Sequence, residues 1–263
     1  KYAKYEFAPF HVRAIRRIIE HDEWYEVLSW SRELAKSTVA MFICMYLALT
    51  KRKKFFVLAS ATIDSAKRLL APYKINFESN PRIRQFYGSQ MTLGQWTDGE
   101  FTAKCGAKFF ALGAGSAPRG ARNEDIRPDV IYMDDFDTDE DCRNPETLKK
   151  KWDWFEASLY PTRSISEPTL ILWCGNIIAK DCCIRRAGEK ARHWDIVNIR
   201  DKNGRSTWPA KNTEEQIDTV LSNISTKSAQ AEYFNNPVSE GTIFKYLPFG
   251  KVPPLRKFKF LIL

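Results

Sequence analysis

No apolar run in this sequence is long enough to cross a bilayer, and no charged segment followed by an apolar core opens it, so neither a membrane span nor a secretory signal is visible. A soluble, non-secreted protein is expected. Its six cysteines, Cys44, Cys105, Cys142, Cys174, Cys182 and Cys183, form no C-x-x-C pair, and only His11, His21 and His193 are present to complete a zinc set. This spacing argues against a zinc module and for free thiols in a reducing compartment. Internal repeats and low-complexity tracts are also missing, which argues against a solenoid.

What is present suits a folded enzyme-sized unit. The 263 residues are 44% hydrophobic and 13% aromatic, enough to bury the core of one large α/β domain, alone or with a small appendage. Forty-one basic against thirty-two acidic residues leave a net charge of +9, compatible with a polyanionic partner and equally with a solvated basic face.

Val12, Ile15, Ile18 and Ile19 recur at helical spacing over residues 10–20. A buried strand follows, then an apolar helix to Leu49, the basic run Lys51-Arg52-Lys53-Lys54, a strand over Phe55 to Ser60 and a capped helix over Thr62 to Leu70. This β-α-β-α order predicts a parallel sheet. The basic run is either a solvated patch at a helix end or a contact for nucleic-acid phosphates. Asp98-Gly99 and Gly106 mark turns in residues 91–113, which read as a hairpin or meander extending one sheet edge. Residues 113–128 read as loop. A helix is expected over Pro145 to Leu159 with Trp152 and Phe155 turned to the core, a strand over Thr169 to Cys174, another over His193 to Ile199, and helices over Thr213 to Ser222 and Thr226 to Phe234. Lys257 to Leu263 looks like the start of a further strand.

Two short segments carry chemistry. Glu26 to Thr38, EVLSWSRELAKST, reads as a strand running into a Lys-Ser pair that opens a helix. Helix-start N–H groups and the macrodipole favour phosphate there, Lys36 can reach terminal phosphates, and the Ser37 hydroxyl can ligate Mg²⁺. The glycines usual in such a loop are absent, Ser31 and Ala35 standing in their places. About a hundred residues on, Val130 to Asp135 is an apolar run ending in two carboxylates, Asp134 and Asp135. One suits a metal shell and the other a water-orienting base, although an acid-rich solvated loop start would look similar.

In this order these elements resemble the N-terminal DNA-packaging ATPase domain of tailed-phage terminase large subunits. Its deviant loop S-R-x-x-G-K-[ST] is met by Ser31, Arg32, Lys36 and Ser37, with Ala35 in place of glycine. Alanine at a position needing positive φ would cost roughly 1 kcal/mol. The resemblance implies an α/β P-loop NTPase of the ASCE, RecA-like type, with a mainly parallel central sheet flanked by helices and an antiparallel hairpin extension. It implies ATP and Mg²⁺ as cofactors and a nucleotide site of Ser31, Arg32, Glu33, Leu34, Ala35, Lys36, Ser37 and Thr38. His11 would lie near adenine, in place of an amide that follows an aromatic residue in the family. Ser37 and Asp134 would hold the metal, and Asp135, where a glutamate is usual, would orient the lytic water. Arg119, before Gly120, matches an arginine-finger element; Arg32 is the competing candidate, and a surface ion pair is open for either. Cys174, Gly175 and Asn176 resemble the coupling motif, and Glu232-Tyr233-Phe234-Asn235-Asn236-Pro237 the E-Y-x-N-x-P element.

The same resemblance divides the chain into an ATPase domain at 1–250 and a linker with the beginning of a nuclease domain at 251–263, the nuclease itself being absent. It implies double-stranded DNA, a portal protein and a small terminase subunit as partners, a homo-oligomeric ring on assembly with a monomer in isolation, and the host cytoplasm as location. Two other readings stay open: a helicase-like DNA-dependent ATPase, and a degenerate P-loop module that binds DNA without turnover.

Overall fold

Three strands in the middle of the sheet are apolar on both faces, and that decides the architecture. β2 (Phe55–Ser60), β5 (Val130–Asp134) and β6 (Leu170–Cys174) are buried at every position, so helices must cover both sides. The computed structural model describes residues 4–92, 94–118 and 126–238. Arg119 and Gly120, and the expected strand at Lys257 to Leu263 with the linker around it, lie outside them.

With β1 (Trp24–Trp30), β3 (Glu100–Thr102), β4 (Lys108–Gly113) and β7 (His193–Val197), the sheet has the order β3-β4-β2-β5-β6-β1-β7. Every pairing is parallel except β3 with β4, which form the edge hairpin the turn residues predict. One layer carries α1 (Pro9–Ile19), α2 (Lys36–Leu49) and α3 (Ile63–Ser79) against Leu28, Phe56, Tyr132 and Leu172. The other carries α6 (Pro145–Trp154) and α7 (Cys183–Lys190) against Val27, Val57, Ile131 and Trp173. Alternate residues of each strand therefore feed opposite cores.

Several elements depart from expectation. α3 runs through Pro72 to Ser79, because Leu70, Tyr73 and Phe77 keep packing on the sheet beyond the proline. The helix expected to reach Leu159 stays α-helical to Trp154 and finishes as a π-turn over Phe155–Leu159, with both Trp152 and Phe155 buried. Two short helices, α4 (Pro81–Tyr87) and α5 (Asp139–Arg143), and the half-charged α7 have no counterpart in the sequence pattern. α8 (Glu214–Ser222) and α9 (Thr226–Phe234) lie where their periodicity puts them. In the basic run, Lys53 is neither solvated nor available to phosphates: its ammonium donates to the carbonyls of Asp22 and Pro168. Arg52 is tied to Ile19 O and Asp22.

The loop between β1 and α2 is set by two further features. Glu33 and Ala35 both have left-handed backbones, with φ 69° and 58°, so the shape that glycine would allow freely is reached without it. Behind the loop, His11 is fully buried. Its Nδ1 accepts the Ala8 N–H at 3.0 Å, and its Nε2–H donates to Leu34 O at 2.9 Å. Burial lowers the imidazole pKa below its ordinary 6.5; the bond to Leu34 O opposes that shift and the charge of Lys211 adds to it.

Ala35→Gly is expected to stabilise the chain by about 1 kcal/mol, a Tm rise of roughly 2–4 °C in calorimetry. An unchanged or lower Tm contradicts strain at this residue. For His11 the unfolded chain binds a proton near pH 6.5 that the folded chain refuses, so stability is full above that pH and falls as pH drops below it. Denaturation curves from pH 7.5 to 5 should show a steeper loss for the native chain than for His11→Gln, and equal slopes would overturn the assignment.

Candidate functional site

At the carboxyl ends of β1, β5 and β6 the chain leaves the sheet in three loops, and these loops meet. Register makes this unavoidable: Asp134 stands opposite Cys174, and Cys174 opposite Leu28, across neighbouring strands. β1 and β2 are separated by β5 and β6, so the crevice lies at a topological switch point, the usual ligand position in open α/β sheets.

From β1, Ser31 N–H donates to Val197 O at 2.8 Å and Arg32 N–H to Glu232 O at 3.0 Å. Leu34 is completely buried and anchors the turn. After Ala35 the chain enters α2, which has no side-chain cap and no acid in its first turn. Its leading N–H groups and positive dipole end are the elements of an anion site.

The predicted residues largely converge. Ser37 Oγ donates to Asp134 Oδ1 at 3.1 Å, and Lys36 Nζ donates to Asn176 Oδ1 at 2.9 Å. The two acids differ sharply in setting. Asp134 is buried at the strand tip, where desolvation, and then the neighbouring Asp135 charge, push its pKa up to about 7 against the opposing pull of Lys36, Ser37 and Tyr132. Asp135 is exposed, with φ 41°, and borders a cavity of about 330 Å³ shared with Arg32, Lys36, Ser65, Thr138 and Asn176. Its N–H donates to Cys174 O at 3.1 Å, which fixes the turn.

A hydroxyl and a buried carboxylate beside a lysine form a hard-oxygen set that fits Mg²⁺, an ion that takes one or two protein oxygens and completes its shell with water and phosphate. Among the described residues no group of three or more His, Cys, Asp and Glu side chains makes a closed metal cage. Ser37 and Asp134 are thus the residues that would hold the ion.

α9 supplies residues to which the sequence assigns no site role. Glu232 accepts from the Arg32 guanidinium, and Asn176 Nδ2 donates to Glu232 O at 2.7 Å and Oε2 at 3.1 Å. A polar chain therefore runs Lys36, Asn176, Glu232, Arg32. Asn235 follows in left-handed conformation, accepting from Ile177 N–H and donating to Ser29 O, which clamps the ends of β6 and β1 together. A Cβ at Gly175 would fall 2.9 Å from the Ile184 Cδ1 methyl, so a side chain there would require that methyl to move aside. The second cavity, about 400 Å³, is lined by the loop itself, Arg32, Glu33, Lys36 and Thr38 among its residues, and by Tyr5, Phe7, Trp208 and Lys211. No local pattern marks Trp208 or Lys211, which reach the loop from some 175 residues away. His11 sits behind this wall rather than in the open cavity. Arg119 is outside the described residues, and Arg32 is held in its ion pair.

No protein-family model matches the sequence, and no curated protein matches it. Solved structures do. The large terminase of bacteriophage HK97 superposes with a TM-score of 0.60 at 12% identity, over 88% of this chain and 51% of that one. The ATPase domain of the Thermus phage P74-26 large terminase gives 0.56 at 13% identity, over 85% and 92%. The large terminase of the thermophilic bacteriophage D6E, in complex with ADP, gives 0.53 at 14% identity, over 87% and 53%. The chain thus spans about half the length of the HK97 and D6E proteins and nearly all of the isolated P74-26 domain. It has the fold of the ATPase domain of phage large terminases.

Proposed function

We propose that this chain is the ATP-hydrolysing motor domain of a viral terminase large subunit, which translocates double-stranded DNA into a procapsid. The observation that carries the reading is the meeting of Lys36, Ser37, Asp134 and Asp135 at one crevice in a terminase ATPase fold. A degenerate, non-hydrolysing module is disfavoured by Ala35 itself, which adopts the left-handed conformation the loop needs.

In this mechanism the triphosphate lies across the start of α2, with Lys36 and the leading N–H groups on the β- and γ-phosphates. Bound Mg²⁺, held through Ser37 and Asp134, would neutralise charge on the phosphates. Asp135, open to the cavity and a methylene shorter than glutamate, orients the attacking water and accepts its proton. Arriving phosphate competes with Asn176 for Lys36, which loosens the link from Asn176 to Glu232 on α9. That gives the Cys174-Gly175-Asn176 loop a physical means of passing on the state of the site. Arg119 or Arg32 supplies transition-state charge, one from a neighbouring subunit and the other from within the loop.

The packaging reading brings with it a ring of identical chains, a portal protein and a small terminase subunit, with the isolated chain a monomer in solution and assembly in the host cytoplasm. Basic side chains would grip DNA phosphates without regard to sequence, as a motor must.

Lys36→Ala and Asp135→Asn are each expected to lower ATP turnover by at least about 10²-fold. In nucleotide titrations Asp135→Asn keeps its affinity, while Lys36→Ala loses it. Turnover at the native rate in either variant would contradict the assignment of the site.

A further inference from the structure

The cavity beside Asp135 is bordered by two cations, Arg32 and Lys36, and both are tied to one residue of α9. Arg32 Nε donates to Glu232 Oε2, and the Arg32 backbone N–H donates to Glu232 O at 3.0 Å. Lys36 reaches the same carboxylate through Asn176, whose Oδ1 accepts from Lys36 Nζ at 2.9 Å and whose Nδ2 donates to Glu232 Oε2 at 3.1 Å. Glu232 itself lines the cavity.

The way the guanidinium is held leaves its useful end open. Arginine often meets a carboxylate with two parallel N–H groups, a fork that occupies one whole edge of the guanidinium. Here the contact is made through Nε, and no acceptor among the described residues takes either terminal amino group. Those groups are directed donors of the kind that suit a phosphate oxygen. The Arg32 side chain is 63% exposed against 24% for Glu232, so the carboxylate is the fixed partner and the guanidinium the one that would swing if released. A second carboxylate is within its electrostatic reach: the arginine's pKa is raised above its ordinary value chiefly by the bond to Glu232, and Asp135 adds a smaller pull. Pairing with Asp135 would occupy the group assigned to the attacking water. Docking of α9 does not need the Glu232 side chain, because the Glu232 backbone carbonyl takes both the Arg32 N–H and Asn176 Nδ2.

We propose that Glu232 is a positioning residue for hydrolysis, acting through Arg32: it holds the guanidinium by Nε so that the terminal amino groups meet the transferring phosphate and stay off Asp135. The inference rests on the nucleotide-site reading and deepens it, since it gives α9 a part in turnover.

The test is a double-mutant cycle on ATP turnover with Mg²⁺, comparing the native chain, Glu232→Ala, Arg32→Ala and the double variant, with N-methylanthraniloyl-ADP affinity and Tm measured for each. Glu232→Ala is expected to lower kcat by about tenfold or more while nucleotide affinity changes by less than about threefold. In the Arg32→Ala background the same substitution should change kcat by less than about twofold, because the residue it acts through is gone. Glu232→Gln, which keeps the shape and one acceptor, is carried through the same cycle and decides the matter if Glu232→Ala folds poorly. An equal loss in both backgrounds, a loss of affinity in place of kcat, or native kcat in the Glu232 variants overturns the inference and leaves the nucleotide site standing. A native chain that binds nucleotide without turning it over removes the hydrolysis reading and this inference together.

Discussion

A left-handed backbone at Glu33 and Ala35, imposed without glycine, is the constraint on which the rest of the site depends. Turning the chain this way aims the first N–H groups of α2 outward, and it costs conformational energy that neighbours must offset. They do so from every side. His11 holds Leu34 O from behind, Leu34 is buried beneath, Glu232 takes the Arg32 amide, and Lys211 caps Glu33 O. Of the five non-glycine residues with positive φ among those described, four lie in this site: Glu33, Ala35, Asp135 and Asn235. Strain concentrated at one crevice is what a preorganised binding site looks like.

The same loops separate two adjacent acids into different environments. Strand pairing buries Asp134 beside Ser37, and the reversed backbone at Asp135 turns the next carboxylate out to the cavity. Sequence neighbours thereby acquire distinct settings, which is what the proposed roles of metal-holding oxygen and base require. Lys36 binds neither acid directly; its hydrogen bond goes to Asn176, which is in turn bound to Glu232 on α9. Lys36 is thus linked to a distant helix through the side chains of Asn176 and Glu232.

Most of the sheet was legible because its strands are short apolar runs bounded by turn residues, and Lys36-Ser37 and Asp134-Asp135 stand at their tips. Ala35 announced its own conformation by occupying a glycine position. What escaped the sequence pattern was non-local or short. The Glu232 and Asn235 contacts with the loop ends span about two hundred residues, and Trp208 and Lys211 lie in a segment with no periodicity of its own. α7 was hidden by its charged face; its buried side is only Cys183, Ile184, Ala187 and Gly188, and Gly188 is needed because a Cβ would strike the Trp194 ring. His11 was placed near the base by resemblance, whereas its two backbone bonds make it a prop for the loop.

The central claim is that a loop without glycine is already shaped to receive nucleotide phosphates. A crystal structure of this chain with Mg²⁺ and a non-hydrolysable ATP analogue tests it most directly. The account predicts β- and γ-phosphates on the N–H groups of Lys36 and Ser37, with Glu33 and Ala35 keeping positive φ. Phosphates bound elsewhere, or a loop that returns Ala35 to negative φ when occupied, would contradict it.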